Sequence, residues 1–135
     1  MEKRKFIIVD DDPFNNKICS VIIKNFSPES EVITFVQPEV GFDYIAEKYK
    51  NSTADFATIL LLDINMPTMN GWEFLEKFEK LDIEIKKKIS VFILSSSVDQ
   101  SDMDRSKDNK YVCDYISKPL SSKAIEDAIK IISTQ

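Results

Sequence analysis

"LLLDINMPTMNGWEF", residues 60–74, decides how the chain is read. It begins inside a continuously apolar run, "ATILLLD" (57–63), the pattern of a strand covered on both faces. The run stops at one carboxylate, Asp63. A Met66-Pro67 turn follows, and then "NGWEFLEKFEKL" (70–81) reads as a helix. Asn70 is its cap, and Glu73 three residues on resembles a capping box. A helix cap, a metal ligand and a nucleophile all suit an acid where a buried strand meets solvent, so the flanking sequence must discriminate.

Outward from this unit, the chain alternates without a break. "KFIIVD" (5–10) is a short apolar strand. "PFNNKICSVIIKNF" (13–26) is helical, with Phe14, Ile18, Ile22 and Phe26 at four-residue steps on the expected core face. Asp12 is its cap and Pro13 suits its first turn. "EVITFV" (31–36) is a second strand and "PEVGFDYIAEKYK" (38–50) a second helix, followed by a polar connection, "NSTAD" (51–55). Beyond residue 81, "ISVFILS" (89–95) and "YVCDYIS" (111–117) are the fourth and fifth strands. "SSKAIEDAIKIIS" (121–133) is an amphipathic last helix. Between those strands, "SVDQSDMDRSKDNK" (97–110) is poor in apolar residues and rich in Ser, Asp and Asn, so it reads as a short or mobile helix. Five strands and five helices in strict alternation imply a parallel sheet with helices on both faces.

The bulk composition narrows the function. In 135 residues, 43% hydrophobic and 30% charged, there is room for one domain with a proper core. No apolar run reaches the roughly 20 residues of a membrane helix, so no membrane role is expected and the expected location is cytoplasmic. Cys19 and Cys113 stand far apart and outside any CxxC pattern, which favours buried or half-buried thiols over a disulfide or zinc site. The chain has no histidine, which removes His-based general base catalysis, Ser-His-Asp triads and any role as a phosphohistidine carrier. A net charge of −5 argues against nucleic-acid binding. With two glycines, no GxGxxG dinucleotide loop exists.

Parallel sheets bind ligands at the carboxyl ends of their strands. Here those ends carry Asp10 and Asp11, then Asp63, then Ser95 and Ser96, then Lys118. Taken singly, each has a bland explanation: strand-end acids satisfy loop amides, serines make turns, lysines are solvated. Together they describe one cleft. At about 4 Å and an effective dielectric of roughly 20, each like-charge pair costs on the order of 4 kcal/mol. A raised pKa or a divalent cation relieves that repulsion, and clustered hard oxygens favour Mg²⁺. With a lysine and hydroxyl donors beside it, such a cleft suits a phosphoryl group.

"IIVDDDP" (7–13), "LLLDINMPTMNGWE" (60–73), "FILSSS" (92–97) and "DYISKPL" (114–120), in this order and spacing, resemble the receiver domain of two-component response regulators, of the stand-alone, chemotaxis-regulator-like kind. The resemblance implies a flavodoxin-like (βα)5 three-layer sandwich, its five-stranded parallel sheet ordered 2-1-3-4-5. It implies that Asp63 is the phosphoacceptor. Asp10, Asp11, Asp63 and the Asn65 main-chain carbonyl would hold Mg²⁺, for which Mn²⁺ substitutes, with Asp10 acting through water. Ser95, Ser96 and Lys118 would bind the phosphoryl group, Ser95 and Tyr115 would form the switch, and the Lys118-Pro119 peptide would be cis. The implied phosphodonor is a sensor histidine kinase or a histidine phosphotransfer protein. The implied output is contact with a downstream effector, as a monomer or a phosphorylation-dependent dimer. A single receiver over residues 1–135 with no output domain is expected.

Two departures stand out: Asp114 where many receivers have a small residue, and the polar run 97–110 in place of an Ala/Gly-rich helix. Two alternatives compete with the switch. A pseudo-receiver would keep the fold without accepting phosphate, yet it usually lacks an acidic or Lys hallmark and none is missing here. A phosphatase of the haloacid-dehalogenase type also uses a strand-end Asp, but it needs a second acid where this chain has Asn65.

Overall fold

The computed structural model describes residues 4–50 and 57–134. The "NSTAD" connection lies outside them. Five parallel strands, β1 (Lys5–Val9), β2 (Glu31–Phe35), β3 (Thr58–Leu62), β4 (Ile89–Ser95) and β5 (Val112–Ser117), form one sheet ordered β2-β1-β3-β4-β5. Strand side chains alternate faces, and this splits the core in two. Ile7, Val9, Leu60, Leu62, Val91 and Ile93 face one layer, and Phe6, Ile8, Ile59, Leu61, Phe92 and Leu94 face the other.

Helices α2 (Pro38–Lys48) and α3 (Gly71–Glu79) cover the first face with Phe42, Ile45, Trp72, Phe74, Leu75 and Phe78. Helices α1 (Pro13–Phe26) and α6 (Ser122–Ser133) cover the second with Cys19, Ile23, Ile125 and Ala128. The result is the flavodoxin-like three-layer sandwich. The start of α3 is fixed by the full capping box: Asn70 Oδ1 accepts from the Glu73 N–H and the Glu73 carboxylate accepts from the Asn70 N–H, both at 2.9 Å. In α1, Asp12 caps the Phe14 N–H at 3.0 Å.

Three expectations change. The fully buried positions of α1 are Asn16, Cys19 and Ile23, with Ile22 and Phe26 of the apolar face packed half-buried beside them, whereas Phe14 at its start is 71% exposed. The Asn16 amide donates to the Asp10 main-chain carbonyl at 3.0 Å, so a polar residue takes a core-facing position. A sixth, four-residue helix, α4 (Ile83–Lys86), precedes β4 and tucks Ile85 into the core. The second helix ends at Lys48, with Tyr49 as its cap, rather than at residue 50.

The polar run 97–110 contains the expected short helix, α5 (Gln100–Asp108), capped by Asp99 on the Ser101 N–H at 3.0 Å. It buries only Ser106. Its attachments are largely polar, as the site geometry shows below. On β5 the register with β4 slips between Val91 and Phe92, so that Val91 faces Val112 and Phe92 faces Asp114. The exposed Asp114 accepts the Tyr115 N–H at 2.8 Å, satisfying an amide locally on an edge strand.

Candidate functional site

β1 and β3 are neighbours in register, with Val9 opposite Leu62, so Asp10 and Asp63 emerge side by side. Their main chains are still tied to the sheet: the Asp63 N–H donates to the Val9 carbonyl at 3.0 Å, the Asp10 N–H to the Phe35 carbonyl at 3.1 Å. Gly71 allows the chain after Asp63 to fold back this closely. A Cβ at residue 71 would lie 2.7 Å from the Asp63 carbonyl oxygen and 2.8 Å from the Ile64 Cα, too close for any side chain.

Carboxylate oxygens of Asp10, Asp11 and Asp63 all lie within 4.8 Å of one another. Asp10 and Asp63 are buried, at 2% and 5% exposure, and Asp11 is exposed. One cation reaches them from two strands away: Lys118 Nζ sits 2.7 Å from Asp10 Oδ2 and 3.6 Å from Asp63 Oδ2. Strands are about 4.8 Å apart, so only a long side chain leaving β5 could span that gap. The Lys118 N–H is pinned to the Ser95 carbonyl at 2.9 Å, and the Lys118-Pro119 peptide is cis.

Burial first, and then the neighbouring Asp10 charge, push the Asp63 carboxyl up to about 6, while Lys118 and the Asn65 N–H pull it down. That N–H donates to Asp63 Oδ1 at 3.3 Å. For Lys118, burial works to lower the pKa, but the hydrogen bond to Asp10 and the charge of Asp63 outweigh it and hold the ammonium above its ordinary value. Near the same acids, burial and the Asp10 charge push the Cys19 thiol up to about 11, so it stays protonated.

The hydroxyl arm is laid out in a chain of bonds. Ser95 is fully buried and its Oγ accepts the Ser97 N–H at 3.1 Å. The Tyr115 hydroxyl donates to the Ser97 carbonyl at 2.7 Å, and the ring packs half-buried against the core. Ser97 Oγ donates to Asp102 Oδ2 at 2.8 Å, and the Trp72 indole N–H donates to Asp102 Oδ1 at 3.3 Å. Arg105 lies over the Trp72 ring, 4.9 Å from its centroid. Ser95, Tyr115 and helix α5 therefore meet at one residue, Ser97. Ser96 is exposed and Asn65 is exposed at the rim.

Sequence reading passed over two asparagines. Asn15 Nδ2 donates to Asp10 Oδ2 at 2.8 Å, and Asn16 holds the Asp10 carbonyl. Asp102 and Trp72 were likewise outside the reading. Nothing in the spacing of the two asparagines marks them in the sequence.

The donor set fits a hard divalent cation. Among the described residues, three crowded carboxylates meet one ammonium, that of Lys118, every donor of the acidic set is oxygen, and the exposed Asp11 leaves one side open to solvent. Burial, with the Asp10 charge beside it, raises the Asp63 pKa, and a bound cation would offset both.

The family model for the response regulator receiver domain matches residues 6–130. A two-component response regulator from Cytophaga hutchinsonii has the same fold at a TM-score of 0.88 and 25% identity, with 100% of both chains covered. A response regulator receiver protein from Dyadobacter fermentans follows at a TM-score of 0.82 and 29% identity over 94% of this chain and 95% of that one. A protein-glutamate methylesterase/protein-glutamine glutaminase from Clostridium acetobutylicum is 32% identical over 98% of this chain, which spans only 36% of that protein. Among the described residues, no helix is long and apolar enough to cross a membrane. Fold order, strand-end acids and the matched span converge, and the chain belongs to the response regulator receiver domain family of two-component signalling.

Proposed function

We propose that this receiver takes a phosphoryl group on Asp63 from a phosphohistidine of a sensor histidine kinase or histidine phosphotransfer protein. The observation that carries the reading is the placement of Asp63: a buried carboxylate within 4.8 Å of those of Asp10 and Asp11 and 3.6 Å from the Lys118 ammonium. Asp11, Asp63 and the Asn65 carbonyl would hold Mg²⁺, with Asp10 assisting through water, and Mn²⁺ would suit the same oxygens. The bound cation supplies charge neutralisation for the oxygens of the transferring group.

The remaining chemistry belongs to the chain. An Asp63 oxygen forms the new bond to phosphorus as the phosphorus–nitrogen bond to the partner's imidazole breaks, its electron pair leaving with the nitrogen. Lys118 moves toward the phosphoryl oxygens. The acyl phosphate brings about −1.5 to −2 charges and new acceptors. Ser95 then trades the Ser97 N–H for a phosphoryl oxygen, and Ser97 carries the change to Tyr115 and α5. This refines the sequence-based expectation, because Tyr115 already grips the Ser97 carbonyl. The readout is a changed surface for a downstream effector, so the chain modifies itself and turns over no free substrate.

Incubation with acetyl phosphate and Mg²⁺, read by intact mass, tests the reading. Wild type is expected to gain one phosphoryl mass and Asp63→Ala none. Equal gain in both proteins would move the phosphoacceptor elsewhere, and no gain in wild type would favour a pseudo-receiver.

A further inference from the structure

Three donors converge on the Asp10 carboxylate. Oδ1 accepts the Asp12 N–H at 2.9 Å, and Oδ2 accepts both Lys118 Nζ at 2.7 Å and Asn15 Nδ2 at 2.8 Å. The resting contact of Lys118 is therefore Asp10, not Asp63, whose Oδ2 is 3.6 Å away. If Lys118 serves the phosphoryl group on Asp63, it must give up Asp10. A carboxylate that is 2% exposed does not tolerate the loss of its cationic partner unless another donor stays behind.

Asn15 is placed to be that donor. It stands in the first turn of α1, where the helix end also favours negative charge. Its amide is neutral, so it is not drawn to the incoming phosphoryl group as Lys118 is. By sharing Oδ2 it also leaves Lys118 with only part of that oxygen.

We propose that Asn15 is a positioning residue that keeps Asp10 Oδ2 hydrogen-bonded while Lys118 transfers from Asp10 to the phosphoryl group on Asp63. This rests on the phosphoacceptor reading above. Its consequence is a split between two measurable steps. Cation binding would use Asp11, Asp63 and the Asn65 carbonyl directly and Asp10 only through water, and does not need Lys118 to move, whereas phosphoryl capture does.

The test compares wild type with Asn15→Leu, which is close in size but has no donor, and with Asn15→Gln, which restores one. Mg²⁺ affinity is measured by calorimetry, and the initial rate with acetyl phosphate at saturating Mg²⁺ by intact mass. Losing a hydrogen bond to a charged acceptor predicts a rate about ten- to a hundred-fold lower in Asn15→Leu, with Mg²⁺ affinity changed by no more than about threefold. Asn15→Gln is expected to recover most of the rate. An unchanged rate, or a loss of rate matched by an equal loss of Mg²⁺ affinity, overturns the proposal. So does an Asn15→Gln protein as slow as Asn15→Leu. If Asn15→Leu fails to fold, Asn15→Ser, too short to reach Oδ2, is read by the same criteria. A wild type that takes up no phosphoryl overturns the reading of Asp63 and this proposal with it, whereas a phosphorylated wild type matched by Asn15→Leu overturns this proposal alone.

Discussion

At Asp63 the competition is between burial and charge. Its carboxyl, raised from 3.8 to about 6, favours the protonated folded state of the cation-free protein. The sign follows from linkage: a folded-state pKa above the unfolded one gives stability that is complete below pH about 4 and fades as pH rises through about 6. Asp63→Asn removes this loss. With a chelator present, the variant is expected to match wild type near pH 4 and to exceed it by up to about 3 kcal/mol at pH 8, as read from urea unfolding midpoints. A gap that does not grow with pH would mean that Asp63 is not held under electrostatic strain. Asp63 was legible in the sequence because an acid at the end of an uninterrupted apolar run is conspicuous. Asn15 and Asn16 were not, because neighbouring amides at a helix start read as solvated, and nothing in their spacing announces that one grips the Asp10 side chain and the other its backbone.

Among the elements, α3 is the one that holds the site in shape. It begins so close to the chain after Asp63 that Gly71 is required there, with a Cβ 2.7 Å from backbone. Gly71→Ala is expected to cost about 1–3 kcal/mol by overpacking, against the small gain alanine brings to an ordinary helix position. Chemical denaturation measures this, and a neutral or stabilising outcome would show that the turn after β3 yields easily. Helix α5 is legible in the sequence only as a short or mobile helix. Periodicity registers apolar faces, and α5 has almost none: Asp99 caps it, Asp102 ties it to Ser97 and Trp72, and Arg105 stacks on that indole. In α1, apolar spacing holds for Ile22 and Phe26 but not for Phe14, and it could not foresee that Asn16 would be drawn inward by a backbone carbonyl.

Over the whole molecule, strand order creates the chemistry. Placing β1 and β3 side by side brings Asp10 and Asp63 together, and placing β5 two strands from β3 means that a long side chain, here Lys118, is needed to reach them. Sequence alternation was enough to predict the parallel sheet and which residues sit at its carboxyl end. The pairing of Lys118 with Asp10 rather than Asp63 needed coordinates, because it depends on a difference of about an ångström between two neighbouring acids. The account as a whole depends on this rim binding a dication and thereby letting Asp63 take phosphorus. A crystal structure of the protein with Mg²⁺ and beryllofluoride, the phosphoryl mimic, tests that most directly. The expected result is beryllofluoride on an Asp63 oxygen, a cation held by Asp11 and Asp63, and Lys118 turned from Asp10 to the fluorides. A rim empty of both, with Lys118 still on Asp10, would contradict it.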